Sequence, residues 1–517
     1  MSTTYLTQAL HRAVRIHPQR TATICAARSH SYEQFTTRVA RAAGALQKLG
    51  MKPGDRVGIL ALNSDRFLEL YFAVWWGGGV VNPVNIRWSA REIAYSLDDC
   101  ATQILAVDQA FAPLVPELSE RSQALRTVLY IGDGAAASGM FEYEALIAEH
   151  APVADAMRCN GDLAGVFYTG GTTGFPKGVM LTHANLSYGA SAALISGIAE
   201  EDDVGLHAAP MFHMADAMFA LALFLRGCTQ AIVPMFNPET ALAAIAGARV
   251  SVALLVPTMI QMLVDHPRLP EFDLASLRRV LYGASPISEA LLARAMARLP
   301  NAGFIQCYGQ TEMSPIVTVL SAADHLEGKR LRSAGRPAVG VEVKIVDADD
   351  REVARGTVGE ICARGPGVMA GYWNQPEQTA AAIRDGWMHT GDGAYVDGDG
   401  YLYVVDRVKD MIVSGGENVY SAEVENAIAQ HAAVAMCAVI GIPDEQWGEA
   451  VHAVIVCRPG ARVGADEIKA HCKALIATYK CPRSVELRDA LPLSGAGKVL
   501  KNNLREPYWA GRQRRVG

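Results

Sequence analysis

A glycine- and threonine-rich run with one lysine is the segment best suited to chemistry. It reads Tyr168-Thr-Gly-Gly-Thr-Thr-Gly-Phe-Pro-Lys-Gly178 and follows an apolar stretch typical of a β-strand. Glycines let the backbone approach an anion closely. Hydroxyls, successive backbone N–H groups and the charge of Lys177 would bind that anion. The run therefore predicts a polyphosphate-binding loop, with a surface turn as the alternative. It is not a Walker A loop, because Gly178 follows Lys177 where that motif has Ser or Thr.

Further motifs follow along the chain in a fixed order. They are Pro210-Met-Phe-His213, Tyr308-Gly-Gln-Thr-Glu312, Thr390-Gly-Asp392, Asp406-Arg-Val-Lys-Asp410 and Pro492-Leu-Ser-Gly-Ala-Gly-Lys498. Together with the loop they resemble the adenylate-forming enzymes, a family that includes acyl-CoA synthetases, coumarate-CoA ligases, firefly luciferase and the adenylation domains of peptide synthetases. The resemblance covers essentially the whole chain. The loop departs from the family pattern, because Gly170-Gly171 carries glycine where the family often has serine.

The resemblance implies a site for ATP and Mg²⁺. Glu312 and Thr169 would hold the metal, since carboxylate and hydroxyl oxygens suit a hard cation bound with substrate phosphates. Tyr308 would stack on adenine, Thr311 would lie near the α-phosphate, and Asp392 would accept hydrogen bonds from both ribose hydroxyls. In isolation, a Thr-Glu pair is more typical of a helix N-terminus and Thr-Gly-Asp of a turn. The expected binding residues in this part of the chain are Thr169, Gly170, Gly171, Thr172, Thr173, Gly174, Lys177, Gly283, Ala284, Ser285, Gln306, Cys307, Tyr308, Gly309, Thr311, Asp392, Val404 and Arg407.

The resemblance also implies two domains, residues 1–408 and a mobile C-terminal domain of residues 409–517. Lys409 would be the hinge between them. Lys498 would reach into the site during adenylation, where a lysine charge can bridge the attacking carboxylate and the α-phosphate. A lone surface lysine is ordinarily just solvated, so this interpretation depends on its place in the ordered motifs.

A site for coenzyme A is implied in the same C-terminal part. Gly415 and Gly416 would approach its pantetheine arm, where a side chain would block the way. Trp447 either lines this site or is a packed structural residue.

The acyl pocket is predicted from the Pro210–His213 motif. Amino-acid-adenylating relatives carry an aspartate after the phenylalanine, so His213 disfavours an amino acid. His213 would gate the pocket or contact substrate, with a core histidine as the alternative. Gly309 leaves room for a longer or aromatic acyl chain where acetate-type relatives have tryptophan. The pocket bottom is expected to be apolar and formed by Met214, Ala217, Met218 and Cys307.

The hypothesis that follows is an ATP- and CoA-dependent carboxylate ligase for a fatty or hydroxycinnamoyl-like acid. The expected catalytic residues are Lys498, Glu312, His213 and Lys177. One alternative is an adenylating enzyme with a carrier-protein thiol or oxygen as acceptor. A second is a non-catalytic nucleotide or acyl-CoA sensor, which the presence of Lys498 disfavours. A third is a membrane-associated fatty-acid carrier with a basic tail.

The elements that must position these residues are visible as alternating patterns. Short β-branched runs alternate with Ala/Leu-rich stretches over roughly the first 330 residues, which predicts parallel sheets covered by helices on both faces. Expected strands cover residues 56–62, 103–107, 127–131, 165–168, 231–233 and 250–256, and a helix covers 288–299 with Ser285 and Pro286 at its start. Residues 341–347 alternate with period two, which predicts a barrel-like antiparallel region. Beyond residue 410 the pattern is α+β, with a helix from Ser421, strands at 435–440 and 450–457, and a helix at 466–477. The expected fold class is therefore α/β plus α+β.

Composition excludes several other classes of protein. The chain has 517 residues, 47 Lys plus Arg against 53 Asp plus Glu, and a formal net charge of −6, which argues against a nucleic-acid binder. No apolar run approaches the ~18–20 residues of a spanning helix, and residues 218–225 are expected to form a buried helix instead. Scattered cysteines and no secretory-signal pattern predict reduced thiols and a cytoplasmic protein, which could form a homodimer.

Overall fold

The computed structural model describes residues 4–169, 176–407, 410–415, 417–495 and 497–510. A first sheet contains, side by side, strands Gly371–Tyr372, Lys177–Thr182, Leu163–Thr169, Val80–Pro83, Arg56–Leu60, Ile104–Val107, Thr127–Tyr130 and Phe141–Glu142. From Leu163–Thr169 onward the neighbours are parallel, whereas the strands before it pair antiparallel.

A second sheet lies beside the first. Its strands, in spatial order, are Arg336–Pro337, Thr318–Leu320, Gly303–Tyr308, Arg279–Gly283, Val252–Leu254, Val204–His207, Thr229–Ile232, Thr21–Cys25 and Arg28–Ser31. The neighbours from Gly303–Tyr308 to Thr21–Cys25 are parallel, and the outer strands are antiparallel. Most residues of the central strands are buried and apolar, as expected where helices cover both faces of a sheet.

Helices connect these strands. They are Gln8–Ile16, Tyr32–Lys48, Asp65–Trp76, Ala90–Asp99, Val115–Arg121, Tyr143–Glu149, His183–Ile195, Met214–Arg226, Pro238–Gly247, Pro257–Val264, Glu289–Arg298, Ala322–Glu327 and Pro376–Ala382, with short 3₁₀ turns at Ala112–Leu114, Leu269–Glu271, Thr311–Met313 and Thr478–Lys480. Seven of these α-helices begin after a Ser, Thr or Asn whose side chain accepts a backbone N–H bond.

The cores confirm the predicted layering. Helices Tyr32–Lys48, Asp65–Trp76 and Met214–Arg226 pack between the two sheets in one large apolar cluster. Helix Ala90–Asp99 covers the outer face of the first sheet, and Pro257–Val264 covers that of the second. Residues 218–225, predicted to be a buried helix, lie within Met214–Arg226.

The predicted antiparallel region is also confirmed. Its strands are Glu342–Val346, Gly359–Arg364, Trp387–Val396, Ile383–Arg384 and Leu402–Arg407, and every pair is antiparallel. They pack around buried Ile345, Ile361 and Leu402.

The C-terminal part has its own α+β core. Its strands are Ile412–Ser414, Glu417–Val419, Val434–Asp444, Gly448–Cys457 and Ser484–Leu487, and its helices are Ser421–Ala429, Ala465–Leu475 and Lys501–Trp509. Several polar contacts join it to the preceding part. Gln261 Nε2 donates to the Ala435 carbonyl at 2.7 Å, and Arg458 Nη1 lies 3.2 Å from Asp265 Oδ2.

The predicted start of one helix is wrong. The helix is Glu289–Arg298 and its N-cap is Ser288, whose hydroxyl accepts from the Leu291 amide at 3.3 Å. Ser285 and Pro286 precede it as irregular backbone, because the chain leaves the strand through Ala284 in a left-handed conformation with φ 66°. These residues therefore face the strand ends rather than forming the first helical turn.

The structure bears on two predictions from composition, the lack of a membrane-spanning helix and the reduced state of the cysteines. Among the residues described, none of the helices combines the length and apolarity needed to cross a bilayer. All ten cysteines fall within the described ranges, and each is a free thiol.

Candidate active site

The predicted phosphate loop lies at the end of a β-hairpin. Strands Leu163–Thr169 and Lys177–Thr182 are antiparallel, and Thr169 is the register partner of Lys177. The loop residues Gly170, Gly171, Thr172, Thr173 and Gly174 lie outside the described residues. The hairpin nevertheless fixes where the loop begins and ends, since both flanking residues belong to a regular ladder.

Lys177 and Glu312 meet through a tyrosine that the sequence did not single out. The Tyr372 hydroxyl donates to Glu312 Oε1 at 3.0 Å, and Lys177 Nζ lies 4.9 Å from the centroid of the same ring. A cation over an aromatic face is a favourable contact. The main chain holds Glu312 as well, because the Met369 amide donates to its carbonyl at 2.9 Å. Thr311 begins the 3₁₀ turn that carries Glu312.

Asp392 is the centre of a second polar cluster. It is buried, and its Oδ2 accepts from the Tyr308 hydroxyl at 2.8 Å and from Gln310 Nε2 at 2.9 Å. Arg407 Nε lies 3.4 Å from Oδ1. Burial, and then the Asp392 charge, raise the pKa of Tyr308 well above its usual range, so the phenol stays a donor. Val404 lies on the strand paired with that of Asp392, opposite Ala394.

The walls beside this cluster are the ends of two parallel strands. Gly283 is the register partner of Cys307, and a Cβ at Gly283 would collide with the Cys307 carbonyl. Ala284 and Ser285 continue from that strand end, and Gln306 precedes Cys307. Burial raises the pKa of Cys307 to about 12, so it is a neutral thiol. Ligands of α/β proteins bind at such carboxyl ends.

Gly309 has a structural reason to lack a side chain. A Cβ at this position would collide with the carbonyl oxygen of Pro315. The interpretation that this glycine leaves room for the acyl group is therefore incomplete, since close approach of two backbone segments requires it independently.

Lys498 lies inside this site although it is near the C-terminus. It is partly buried and lies within electrostatic reach of Arg407, Asp392 and Glu312. Burial, and then Arg407, lower the pKa of Lys498, while the two carboxylates raise it, and the net direction is downward. The structure thus brings the predicted residues Lys498, Asp392, Glu312 and Arg407 together.

The loop that carries Lys498 packs tightly against the N-terminal part. Arg87 Nη1 donates to the Ser494 carbonyl at 2.9 Å. A Cβ at Gly495 would lie 3.1 Å from both Asn85 Oδ1 and His213 Nε2, and one at Gly497 would lie 2.9 Å from Thr258 Oγ1. The glycines therefore permit a close approach that larger residues would hinder.

His213 faces this loop from the predicted acyl pocket. It is the N-cap residue of helix Met214–Arg226, its ring is buried, and its Nε2 has no hydrogen-bond partner among the described residues. Burial, Lys498 and Arg87 lower the pKa of His213 to about 3, so the imidazole is neutral. Met214, Ala217 and Met218 on the same helix are buried in the apolar core, and their place at the bottom of an acyl pocket stays a prediction.

The residues predicted for coenzyme A form a separate cluster in the C-terminal part. The Gly415 amide donates to the Trp447 carbonyl at 2.9 Å. Gly415 has φ 62°, and a Cβ there would lie 2.6 Å from the Trp447 ring. The Arg483 guanidinium covers that ring at 4.3 Å. Gly416 and Lys409 lie outside the described residues.

Two family models match this chain. One is described as AMP-binding enzyme and covers residues 10–373, and the other is described as AMP-binding enzyme C-terminal domain and covers residues 423–498. The chain belongs to the AMP-binding enzyme family. The resemblance to adenylate-forming enzymes is thereby confirmed.

Members of this family with known names are similar over nearly the whole chain. A feruloyl-CoA synthase of Amycolatopsis sp is 40% identical over 96% of this chain and 98% of its own. The fatty acid–[acyl-carrier-protein] ligase ScoC of Streptomyces coeruleorubidus is 36% identical over 96% and 95%. The solved anthranilate CoA ligase AuaEII, in complex with anthranoyl-AMP, has a TM-score of 0.91 and 26% identity over 98% and 97%. The predicted fold class is confirmed by this likeness.

Sequence reasoning missed several residues of this AMP-binding site. Gln310 occupies a position of the Tyr308–Glu312 motif to which no role was assigned, yet it bonds to both Asp392 and the Thr390 carbonyl. Tyr372 and Arg87 lie outside every recognised motif. Only Gln310 had a sequence signal, namely its place beside predicted site residues.

Proposed function

We propose that this protein is an AMP-forming carboxylate–CoA ligase. It activates an acid with ATP as an acyl-adenylate and then transfers the acyl group to coenzyme A. The observation that supports this most is the partly buried Lys498 within electrostatic reach of Arg407 and of the carboxylates of Asp392 and Glu312. Burial and Arg407 disfavour its positive charge, so negative charge that enters with ATP would stabilise it.

In the first reaction the substrate carboxylate attacks the α-phosphate of ATP, and pyrophosphate leaves. Lys498 and Lys177 neutralise the charge that develops on the phosphate oxygens. Asp392 binds the ribose hydroxyls, Arg407 contacts ribose or phosphate, and Tyr308 packs on the adenine. No covalent enzyme nucleophile is needed, because positioning and charge neutralisation supply the catalysis.

Mg²⁺ fits the oxygen donors present here. Glu312 offers a carboxylate and Thr169 a hydroxyl, which are hard ligands of the kind that Mg²⁺ takes together with substrate phosphates. The Tyr372 hydroxyl donates to Oε1 of Glu312, and a carboxylate with two acceptor oxygens keeps capacity for a cation beside that bond. Bound Mg²⁺ would supply additional charge neutralisation at the phosphates.

In the second reaction the C-terminal domain changes position. We assign residues 1–408 and 409–517 as the two domains, with Lys409 as the hinge. Rotation would withdraw Lys498 and present Gly415 and Gly416 to the pantetheine arm, with Trp447 beside it. The coenzyme A thiol then attacks the acyl carbonyl, the thioester forms, and AMP leaves with the bonding electron pair.

The acid is proposed to be a medium- or long-chain fatty acid or an aryl acid such as a hydroxycinnamate. The buried residues Met214, Ala217 and Met218 favour an apolar group over a dicarboxylate. Neutral His213 offers no charge for a second carboxylate and none for an ammonium. The named relatives include a feruloyl-CoA synthase and a fatty-acid ligase, which is consistent with either class.

A second candidate is an enzyme with a different acceptor, namely the thiol of a free-standing carrier protein. The similarity to a fatty acid–[acyl-carrier-protein] ligase supports it. The acyl-adenylate would form in the same way, and only the second reaction would differ.

A panel of fatty, aryl and amino acids tests both candidates. Pyrophosphate release is measured with and without coenzyme A, and thioesters are detected by mass. A thioester with one class of acid supports the ligase and identifies its substrate. Pyrophosphate release without a thioester favours another acceptor, and transfer to a purified carrier protein would then be measured. If no acid in the panel caused pyrophosphate release, the result would favour the non-catalytic sensor.

Homodimer formation and a cytoplasmic location stay predictions. Light scattering would test the first, and cell fractionation would test the second.

A further inference from the structure

A buried histidine and aspartate lie below the acyl-pocket motif and belong to no recognised motif. His207 ends strand Val204–His207, and Asp216 lies in the first turn of helix Met214–Arg226. Their side chains are fully buried, and His207 Nδ1 lies 2.8 Å from Asp216 Oδ2. The contact therefore closes the loop of residues 208–215, which contains His213.

The second ring nitrogen of His207 also meets an acceptor. His207 Nε2 lies 2.7 Å from Gln230 Oε1. The orientation of that amide is set by its other end, since Gln230 Nε2 donates to the Cys228 carbonyl at 3.3 Å. Two acceptors facing two ring nitrogens require both to carry protons, which makes the ring an imidazolium. Burial lowers the pKa of His207, but Asp216 and Gln230 outweigh it and the net direction is upward.

The loop between the two residues is held at its middle as well. Asn63 Nδ2 donates to the Ala209 carbonyl at 2.8 Å, and Asn63 Oδ1 accepts from the Met211 amide at 2.9 Å. The Tyr71 hydroxyl donates to the Met211 carbonyl at 2.9 Å. Within loop 208–215, His213 Nε2 is the buried side-chain polar atom that has no hydrogen-bond partner among the described residues.

The two sides of helix Met214–Arg226 have different surroundings. Asp216 contacts the second sheet, because its carboxylate lies 2.8 Å from His207 on strand Val204–His207. Met218 lies two residues on, about 200° around the helix, and faces Gly189, where an added Cβ would lie 2.7 Å from Met218 Cε. A shift of the Asp216 side would therefore move Met218 and His213 together.

We infer that His207 and Asp216 are positioning residues for the acyl group: a buried imidazolium–carboxylate pair that closes loop 208–215 and sets the places of His213 and the pocket wall. This inference rests on the proposed function for its catalytic consequence. The closure of the loop stands independently of it.

The test uses His207→Gln, Asp216→Asn and the double variant in the full-length protein. Each single variant leaves one buried charge without its partner, whereas the double variant replaces the ion pair with two neutral amides that can bond to each other. We expect each single variant to raise the KM for the acid about tenfold in pyrophosphate release, with little change in the KM for ATP. The double variant should recover most of this loss.

A matched control separates position from stability. Arg38→Gln breaks another buried ion pair, with Glu69, and should lower Tm while the KM for the acid stays at the wild-type value. Hydrogen exchange of peptides covering 208–216, measured by mass spectrometry, supplies a readout that needs no turnover. Faster exchange there in both single variants, and recovery in the double variant, would support the loop closure.

Two results would overturn the inference. One is an unchanged KM for the acid in single variants whose Tm has fallen as in Arg38→Gln. The other is unchanged exchange of peptides 208–216 in the single variants. An inactive wild-type protein would instead contradict the proposed function, and the exchange experiment would still decide whether the pair closes the loop.

Discussion

At the scale of single residues, charge governs the site. Lys498 approaches an arginine as well as two carboxylates, so its ammonium is less favoured than in water. His213, beside it, stays neutral because burial and two nearby cations oppose its protonation. Negative charge arriving with ATP would reverse the balance at Lys498 and stabilise its charged form.

Removal of this charge should separate the two reactions. In Lys498→Ala we expect acyl-adenylate formation to fall by about 100-fold or more, because the transition state loses a cation that neutralises its charge. Thioester formation from supplied acyl-adenylate should remain largely intact. Pyrophosphate release and thioester formation are measured separately, and equal loss in both would contradict the role assigned to Lys498.

The pH dependence of adenylation should report the same lysine. Because the pKa of Lys498 is lowered, its proton is lost at a lower pH than that of an ordinary lysine, and adenylation falls as pH rises through that value. Arg407 disfavours the ammonium, so Arg407→Gln should raise the pKa of Lys498 and move the alkaline fall to higher pH. The fall is measured in kcat/KM for ATP, which reports the enzyme before ATP binds. Arg407→Lys keeps the positive charge and should leave the fall in place. If the alkaline fall lay at the same pH in Arg407→Gln as in the wild-type protein, its assignment to Lys498 would be wrong.

Several of these residues could be predicted because they lie in short motifs. Tyr308, Asp392 and Arg407 were predicted separately, and they meet around one carboxylate. Tyr372 and Arg87 could not be predicted, since they reach their partners across 60 and 407 positions of the chain. Contacts of that kind depend on how strands and loops pack rather than on local spacing.

At the scale of elements, glycines determine how closely two segments approach. Gly415 combines a left-handed backbone with contact against Trp447, and both features exclude a side chain. In the loop that brings Lys498 to the site, Gly497 also has a left-handed backbone with φ 74°, and Gly495 permits a close approach to Asn85 and His213.

Substitution at Gly415 should affect the second reaction more than stability. Gly415→Ala costs about 1 kcal/mol through its left-handed backbone and also displaces the Trp447 ring. Gly460→Ala is the matched control, because Gly460 has φ 77° and no heavy atom within 4 Å of an added Cβ. Tm should fall in both variants, and further in Gly415→Ala because the Trp447 ring must also shift, whereas only Gly415→Ala should slow thioester formation. Equal thioester rates in the two would argue against a role for this loop.

The sequence predicted regular elements better than their ends. Apolar runs predicted strands such as Arg56–Leu60 and Ile104–Val107 within two residues. The helix N-cap was misplaced by three positions, because Ser285 and Ser288 both have the right chemistry and only the backbone chooses between them. The short strands Thr318–Leu320 and Gly371–Tyr372 were not predicted, since they are too short to show a period.

At the scale of the whole molecule, the order of strands in each sheet was beyond prediction. Strand Arg56–Leu60 pairs with Val80–Pro83 and Ile104–Val107, and the next neighbour of Val80–Pro83 comes from Leu163–Thr169. Alternating strands and helices predict parallel sheets, but many orders satisfy that pattern.

A rigid hinge should stop the enzyme between its two reactions. Lys409→Pro fixes one backbone dihedral at the proposed boundary. If the hinge is frozen with Lys498 in the site, adenylation should continue and thioester formation should fall at least tenfold, because the domain cannot turn. Pyrophosphate release in a single turnover, compared with multiple-turnover thioester formation, measures the difference. Normal production of acyl-CoA would contradict the domain rotation.

Lys498 can also be regarded as a tethered ligand of the N-terminal part. Its occupancy of the site depends on an effective concentration set by the chain and on docking contacts such as Arg87 with Ser494 and Arg458 with Asp265. Tighter docking would favour the first reaction and delay the second by the same factor, since the same domain must leave before coenzyme A can act. Turnover is therefore highest when docking is neither strong nor weak.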